Sequence, residues 1–330
     1  MSDFKEFDLI NWIRKLNKDS GIGDDTAILN IPQNNSLLVT SDMLVEDTHF
    51  IIDRITPYQL GHKTLAVNLS DIAAMGGWPC YGILSACWSK KYKKQEIEEF
   101  FHGFISLAEK YQVKLVGGDT CKGEKIALDL CLLGEILKGK EVTRSKAEEG
   151  DYILISGPLG SSAAGLELIL KNSDIETHEK ELLLNAHFMP EAKVLEGYEI
   201  GDKELASAMI DVSDGLASEI NHIAKESKVG AIIYEEKIPM LEPVKKLAKS
   251  INKDPLQWAL QGGEDYQLLM SVKEENVEKV IEIIERYKNN YTSTLNQPVI
   301  IGRILEKSNG VKIKKGKELL NLHPEGYTHF

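Results

Sequence analysis

Acidic residues flanked by glycine or serine recur where the apolar segments of this chain end. They lie in Gly21-Ile22-Gly23-Asp24-Asp25, Thr40-Ser41-Asp42, Asn68-Leu69-Ser70-Asp71, Gly117-Gly118-Asp119, Asp211-Val212-Ser213-Asp214-Gly215 and Gly262-Gly263-Glu264-Asp265-Tyr266. Most other carboxylates sit in mixed-charge runs such as Lys94-Gln95-Glu96-Ile97-Glu98-Glu99. A carboxylate beside apolar sequence is costly unless a cation or hydrogen bonds compensate it. Each motif alone has an ordinary reading as a turn, a helix cap or a polar helix residue. Together they are explained by one metal cluster. Mg²⁺ suits such oxygen ligands, because it takes few carboxylates and fills its octahedron with water and phosphate. The pattern therefore predicts a site for several Mg²⁺ ions and a polyphosphate.

Hydrophobic spacing places these motifs on elements. An amphipathic helix is predicted over 4–17, and a strand over 36–41 that delivers Asp42 at its end. Thr56-Pro57 reads as an N-cap with proline at the first helical position, opening a helix to about Met75. A strand over 80–88 follows, then a helix carrying Ile97, Phe100, Phe101, Phe104, Leu107 and Ala108. A short strand over 113–116 leads into Gly117-Gly118-Asp119. Alternation of Ile126, Leu128, Leu130 and Leu132 predicts a half-buried antiparallel strand. Glu148-Glu149-Gly150-Asp151 is polar and precedes a new strand, Tyr152 to Ser156, so the domain boundary is placed at 148/149. Further strand-to-helix turns are predicted at Gly157–Ser161 and Asp211–Gly215, with a late amphipathic helix from Val277 to Tyr287. The order of elements predicts an α/β (α+β) chain of two domains.

The formal charge of −12 argues against nucleic-acid or anionic-membrane partners. It is compatible with an anionic substrate, because bound Mg²⁺ inverts the local field. No signal-peptide pattern or membrane-length apolar run is found, and the expected location is the cytoplasm. Cys80, Cys87, Cys121 and Cys131 lack metal-site spacing and read as reduced thiols.

Rival motifs fail on spacing. Asp211-Val212-Ser213-Asp214-Gly215 lacks the ligand spacing of an EF-hand, and the twelfth position is His222. Gly134 to Lys140 approaches a P-loop, but Glu141 stands where Ser or Thr should bind Mg²⁺. A strand-end turn is expected there. Gly21-Ile22-Gly23 lacks the third glycine of a dinucleotide fingerprint. Gly157-Pro158-Leu159-Gly160-Ser161-Ser162 opens a helix and reads either as an anion-binding turn or as a packing turn.

Taken in order, the motifs resemble the thiamine-monophosphate kinase family, within the wider aminoimidazole ribonucleotide synthetase-like superfamily. Residues 21–29, the block from Thr40 to Glu46 with His49-Phe50, and Lys63 to Gly76 are similar to its first three blocks. Leu115–Thr120, Thr143-Arg144-Ser145, Ile210–Leu216, Gly262–Tyr266 and the tail Gly326-Tyr327-Thr328-His329-Phe330 complete the series. There are departures: Cys121-Lys122 stands where Thr-Arg is common, Gln261 replaces a common serine, and Met189-Pro190-Glu191-Ala192 lacks Pro-x-Pro-Arg character.

The resemblance implies an N-terminal ATP/Mg-binding and dimerisation domain, 1–148, whose strands form an intersubunit barrel in a homodimer. It implies a C-terminal α/β domain, 149–330, closing the cleft. Asp25, Asp42, Asp71, Asp119, Asp211 and Asp214 would carry Mg²⁺, with Thr40 and Ser41 contributing oxygens. Gly118, Asp119, Arg144 and Ser213 would contact ATP. His49, Glu264 and Tyr327 would hold thiamine monophosphate. No residue is expected to act as covalent nucleophile or general base. Two other readings stay open: another ATP-using ligase of the superfamily, and a non-catalytic nucleotide-binding maturation scaffold.

Overall fold

The computed structural model describes residues 12, 13, 15, 16, 31–171, 176–290 and 298–326. Asp25 and Tyr327 lie outside the described residues, as does most of the helix expected over 4–17. The chain divides into two compact units, Met1–Ile72 with Trp78–Lys138, and Ala73–Gly77 with Gly139–Phe330.

The first unit is built on strands β1 (Asn35–Val45), β2 (Trp78–Ser89), β3 (Lys114–Gly123) and β4 (Ala127–Leu137), in the order β1-β4-β2-β3. β3 runs parallel to β2; the other pairs are antiparallel. Helices α1 (Pro57–Ala74) and α2 (Lys94–Tyr111) supply the apolar side of the core. Leu128, Leu130 and Leu132 of β4 are fully buried, as are Leu60, Leu65 and Leu69 of α1 and Phe100 and Phe104 of α2. The alternation read from the sequence is thus a half-buried strand packed on one face only, as antiparallel sheets permit.

Two glycines set the helix crossing. A Cβ at Gly61 of α1 would lie 1.9 Å from the Phe100 carbonyl oxygen, and one at Gly103 of α2 would lie 1.9 Å from the Tyr58 carbonyl oxygen. The backbones meet too closely for any side chain. Gly61→Ala is expected to push the helices apart and to cost about 1–3 kcal/mol, as overpacking does. Urea unfolding of the variant checks this, and an unchanged midpoint would remove the crossing as a constraint.

Two sequence expectations are corrected here. β1 extends three residues past Asp42, so that aspartate lies inside the strand rather than at its end. Gly117-Gly118-Asp119, expected to follow a strand ending at 116, likewise lies within β3. In both places ladder pairing to a neighbouring strand continues through polar sequence that short-range propensity reads as a stop. Gly134 lies inside β4 and the strand ends at Leu137, so the P-loop look-alike is a strand end.

The second unit carries a seven-stranded mixed sheet. Its strands are β5 (Tyr152–Ile155), β6 (Ala208–Asp211), β7 (Gly230–Tyr234), β8 (Leu268–Val272), β9 (Val299–Leu305), β10 (Val311–Lys315) and β11 (Glu318–Asn321). Their order is β11-β10-β7-β9-β5-β8-β6. Helices α3 (Ser161–Lys171), α4 (Thr177–Phe188), α5 (Val194–Asp202), α6 (Leu216–Ser227), α7 (Glu242–Ser250), α8 (Pro255–Gln261) and α9 (Val277–Tyr287) complete it. One buried cluster joins the sheet to α6 and α8 through Ile155, Ile210, Leu216, Ile220, Ala259 and Leu269. A second gathers α3, α4, α7 and α8 around Leu168, Leu183, Leu247 and Trp258. No helix among the described residues is long and apolar enough to cross a membrane.

Candidate active site

In the first unit, β1 and α1 present the polar residues that the sequence singled out. Thr40 Oγ1 donates to Asp71 Oδ2 at 2.5 Å. Asp42 N–H donates to Asn68 Oδ1 at 3.1 Å, and Asn68 is fully buried. Asn68 and Asp71 are three apart and share one face of α1. Thr40 and Asp42 are two apart and share one face of β1. The pairing of a period-two element with a helix thus gathers Thr40, Asp42 and Asp71. Asn68 is a further site-forming residue, whose role the Asn68-Leu69-Ser70-Asp71 motif alone does not disclose.

Alternation separates Ser41 from this group. Its hydroxyl points to the opposite, open face of the sheet, where Ser41 Oγ donates to Asp129 Oδ1 at 2.8 Å. Asp119 pairs in register with Ser85 and belongs to the same open face. Its Oδ1 accepts the Thr120 N–H at 2.8 Å. Gly118, at φ 155°, crosses β2 so closely that a Cβ would lie 1.9 Å from the Leu84 carbonyl oxygen. That contact by itself requires glycine.

His49 folds back on β1, where its Nδ1 accepts the Val45 N–H at 3.0 Å. That bond commits Nδ1 to the local turn. Glu46, three residues earlier, is buried and accepts the Ile126 N–H at 2.9 Å. Its role is to hold the start of β4.

In the second unit, two motifs distant in sequence are stitched together by backbone hydrogen bonds. Glu264 N–H donates to Ser213 O at 2.8 Å, Tyr266 N–H to Val212 O at 2.9 Å, and Val212 N–H to Gln267 O at 2.8 Å. Asp211, Ser213, Asp214 and Glu264 therefore share one rim. Glu264 and Tyr266 both take positive φ, 65° and 49°, a conformation rare for such residues.

Glu219 joins this rim from α6, its Oε1 accepting the Asp214 N–H at 3.2 Å. Burial and the neighbouring Asp211 push its carboxyl up to about 8, while the Asp214 N–H and the Arg144 guanidinium pull it down. Arg144 is held near by its own backbone, whose carbonyl accepts from Ser227 Oγ at 2.7 Å. Glu219 was missed in the sequence because it follows Leu216 on an amphipathic helix and reads as a surface position.

The tail approaches the same rim. A Cβ at Gly326 would lie 2.5 Å from the Asp214 carbonyl oxygen, and Gln261 Nε2 donates to Glu325 Oε2 at 2.6 Å. The unusual Gln261 thus tethers the segment that leads to Tyr327.

The turn before α3 has its own carboxyl acceptor. Asp265 Oδ2 accepts the Gly160 N–H at 2.6 Å and Oδ1 accepts the Ser162 N–H at 3.1 Å. The packing-turn reading of Gly157–Ser162 holds, and the helix N-terminus is satisfied internally. Beside it, His187 Nδ1 lies 3.0 Å from Ser162 Oγ and 3.2 Å from Glu264 Oε2.

Among the described residues no three His, Cys, Asp or Glu side chains converge as a closed metal cage. Within the first unit the β1–α1 group holds Asp42 and Asp71, and within the second unit the rim holds Asp211 and Asp214.

The family model described as AIR synthase related protein, N-terminal domain, matches residues 23–136, and the C-terminal domain model matches 148–312. With the two-unit α/β architecture, this defines a two-domain AIR synthase related protein. The thiamine-monophosphate kinase of Buchnera aphidicola subsp. Acyrthosiphon pisum (strain APS) is 36% identical over 334 residues, covering 99% of each chain. The chain belongs to the thiamine-monophosphate kinase family. The thiamine-monophosphate kinase structure from Stenotrophomonas maltophilia K279a superposes with a TM-score of 0.83 at 32% identity, covering 94% of this chain and 96% of that one. AaThiL complexed with AMPPCP and TMP matches with a TM-score of 0.76 at 33% identity, covering 100% of this chain and 98% of that one.

Proposed function

We propose that this chain moves the γ-phosphoryl group of ATP onto the phosphate of thiamine monophosphate, giving thiamine diphosphate and ADP. The observation that carries this reading is the full-length match to AaThiL complexed with AMPPCP and TMP. There, a triphosphate analogue and a second ligand, read as thiamine monophosphate, occupy one fold.

The acceptor is itself a phosphate oxygen. With a second pKa of about 6 it is mostly dianionic at neutral pH, so no strong general base is required. The obstacle is repulsion between anions, roughly 4 kcal/mol for two unit charges at 4 Å and an effective dielectric of 20. Bound Mg²⁺ supplies charge neutralisation and in-line alignment in such transfers. Asp25, Asp42, Asp71, Asp119, Asp211 and Asp214 are the residues proposed to hold it, with Thr40 and Ser41 contributing oxygens. Gly118, Asp119, Arg144 and Ser213 are assigned to ATP. His49, Glu264 and Tyr327 are assigned to thiamine monophosphate.

The active form is assigned as a homodimer. The open face of the β1-β4-β2-β3 sheet exposes Leu37, Val39, Met43 and Ile83, with Val39 61% and Met43 54% exposed. A second copy would cover this apolar stripe. Sedimentation of the native chain at the monomer mass would overturn that assignment.

The test of function is a product assay with ATP, Mg²⁺ and thiamine monophosphate against free thiamine. Formation of thiamine diphosphate only from the monophosphate is expected. ATP binding without turnover would favour a scaffold role instead. Tyr327 gives a second check, because its ring can stack on the cationic thiazolium. Tyr327→Ala is expected to raise the KM for thiamine monophosphate about ten- to thirtyfold, matching roughly 1–2 kcal/mol of stacking and cation–π attraction. ATP KM should stay near normal; an equal rise in both would return the tail to a packing role.

A further inference from the structure

Buried Ser162 ties α3 both to α4 and to the Gly262–Tyr266 segment. Its N–H donates to Asp265 Oδ1 at 3.1 Å, and its hydroxyl lies 3.0 Å from His187 Nδ1. The same imidazole nitrogen lies 3.2 Å from Glu264 Oε2. Asp265 is thus tied to the serine directly, and Glu264 through the imidazole.

Close packing delivers these groups. Ser162 and Gly165 share one face of α3, and Leu183 and His187 share one face of α4. A Cβ at Gly165 would lie 2.2 Å from the Leu183 carbonyl oxygen and 3.1 Å from the His187 Cβ. Only glycine there lets α4 bring the imidazole to Ser162. A Cβ at Gly262 would lie 2.5 Å from the Ala163 Cβ, so the segment carrying Glu264 also meets α3 closely.

The pair differs in exposure. The His187 side chain is 6% exposed and that of Glu264 27%. A ligand on the rim meets the carboxylate before the imidazole, so His187 acts through Glu264. The Glu264 backbone is anchored by its N–H to Ser213 O, but that bond leaves its rotatable side chain to be oriented. A neutral imidazole has one N–H, and a neighbouring carboxylate favours placing it at Nδ1. Nδ1–H then donates toward Glu264 Oε2, with Ser162 Oγ as a second acceptor in reach.

We propose that His187 is a positioning residue of the substrate site, whose Nδ1–H fixes the direction of the Glu264 carboxylate toward a cationic heteroaromatic ring. This role rests on the assignment of Glu264 to thiamine monophosphate made above. A carboxylate already oriented loses less side-chain freedom when the ligand binds.

Steady-state kinetics of the full chain in its native assembly test the role, with ATP, Mg²⁺ and thiamine monophosphate as substrates. His187→Asn puts an amide N–H close to the place of Nδ1, whereas His187→Gln reaches the place of Nε2. His187→Gln should raise the KM for thiamine monophosphate about tenfold, the size of one lost pairwise interaction. Its kcat and ATP KM should stay near normal, as expected when only substrate binding is weakened. His187→Asn should restore most of the loss. Glu264→Ala should raise the same KM at least as far, and adding His187→Gln to it should change nothing more.

Equal KM values for the Asn and Gln variants, an equal rise in the ATP KM, or a His187→Gln effect that persists in full on Glu264→Ala would each overturn the role. So would an active wild type whose Glu264→Ala variant keeps its KM. Heteronuclear NMR of the imidazole needs no substitution. A proton on Nδ1 of His187 is expected, and a bare Nδ1 accepting from Ser162 would overturn the role even if the variants fail to fold. A wild type that makes no thiamine diphosphate would instead count against the proposed function.

Discussion

Asp71→Asn should lower turnover by at least about 100-fold at saturating Mg²⁺ while leaving the fold intact. A factor of 100 corresponds to about 2.7 kcal/mol of transition-state stabilisation. That is within the roughly 4 kcal/mol by which one charge acts on another at 4 Å in a protein site, so removing one carboxylate charge is sufficient to produce it. The substitution isolates charge from structure. An amide oxygen can still accept the Thr40 hydroxyl that now lies 2.5 Å from Asp71 Oδ2. The neighbouring bond from Asp42 N–H to Asn68 Oδ1 does not involve Asp71. β1 and α1 should therefore stay docked, and the thermal midpoint should move little. The readouts are kcat and unfolding of the same preparation. Near-normal kcat in a folded variant would remove Asp71 from the metal-holding group. A large loss accompanied by unfolding would assign it a structural role.

The second large effect concerns stability. Asp265→Ala is expected to destabilise the protein by about 2–5 kcal/mol, because it strands two buried backbone donors at about 1–3 kcal/mol each. These are the Gly160 and Ser162 N–H groups, bonded at 2.6 and 3.1 Å. Burial pushes the Asp265 carboxyl from 3.8 up to about 7, against the lowering effect of the N–H groups it accepts from.

A raised folded pKa fixes the sign of the pH dependence. The native state holds this proton more tightly than the unfolded chain. The associated stability is fully present below the unfolded value, is lost as pH rises toward about 7, and is flat beyond it, with a slope of at most about 1.4 kcal/mol per pH unit. Asp265→Asn cannot titrate and serves as the reference. In urea unfolding, wild type should lose stability relative to Asp265→Asn between about pH 4 and pH 7. A relative gain over that range would mean that the N–H bonds outweigh burial and that the carboxylate is held ionised.

The sequence alone determined the elements and the inventory of the chemistry. Proline after Thr56 opened α1, and the alternation from Ile126 to Leu132 marked β4 as half-buried. The spacing from Val277 to Tyr287 marked α9. These features are local: each depends on a few neighbouring residues and on which face meets water. The family motifs were local in the same sense, and so the kinase resemblance was legible without a fold.

Only the tertiary structure decided which residues stand together. Thr40 and Ser41 are adjacent in sequence, yet strand alternation puts one against Asp71 and the other against Asp129 on the opposite face. Glu219 and His187 read as ordinary helix positions until α6 brought one to the Asp214 N–H and α4 brought the other to Glu264. Cys87 of β2 and Cys121 of β3 are register partners yet carry no spacing signal, because a parallel pair is joined through an intervening helix and its register is invisible to short-range patterns. The physical reason is common to all three cases. Side-chain type and periodicity are properties of a segment, whereas direction and neighbourhood arise only when strand register and helix docking fix one segment against another.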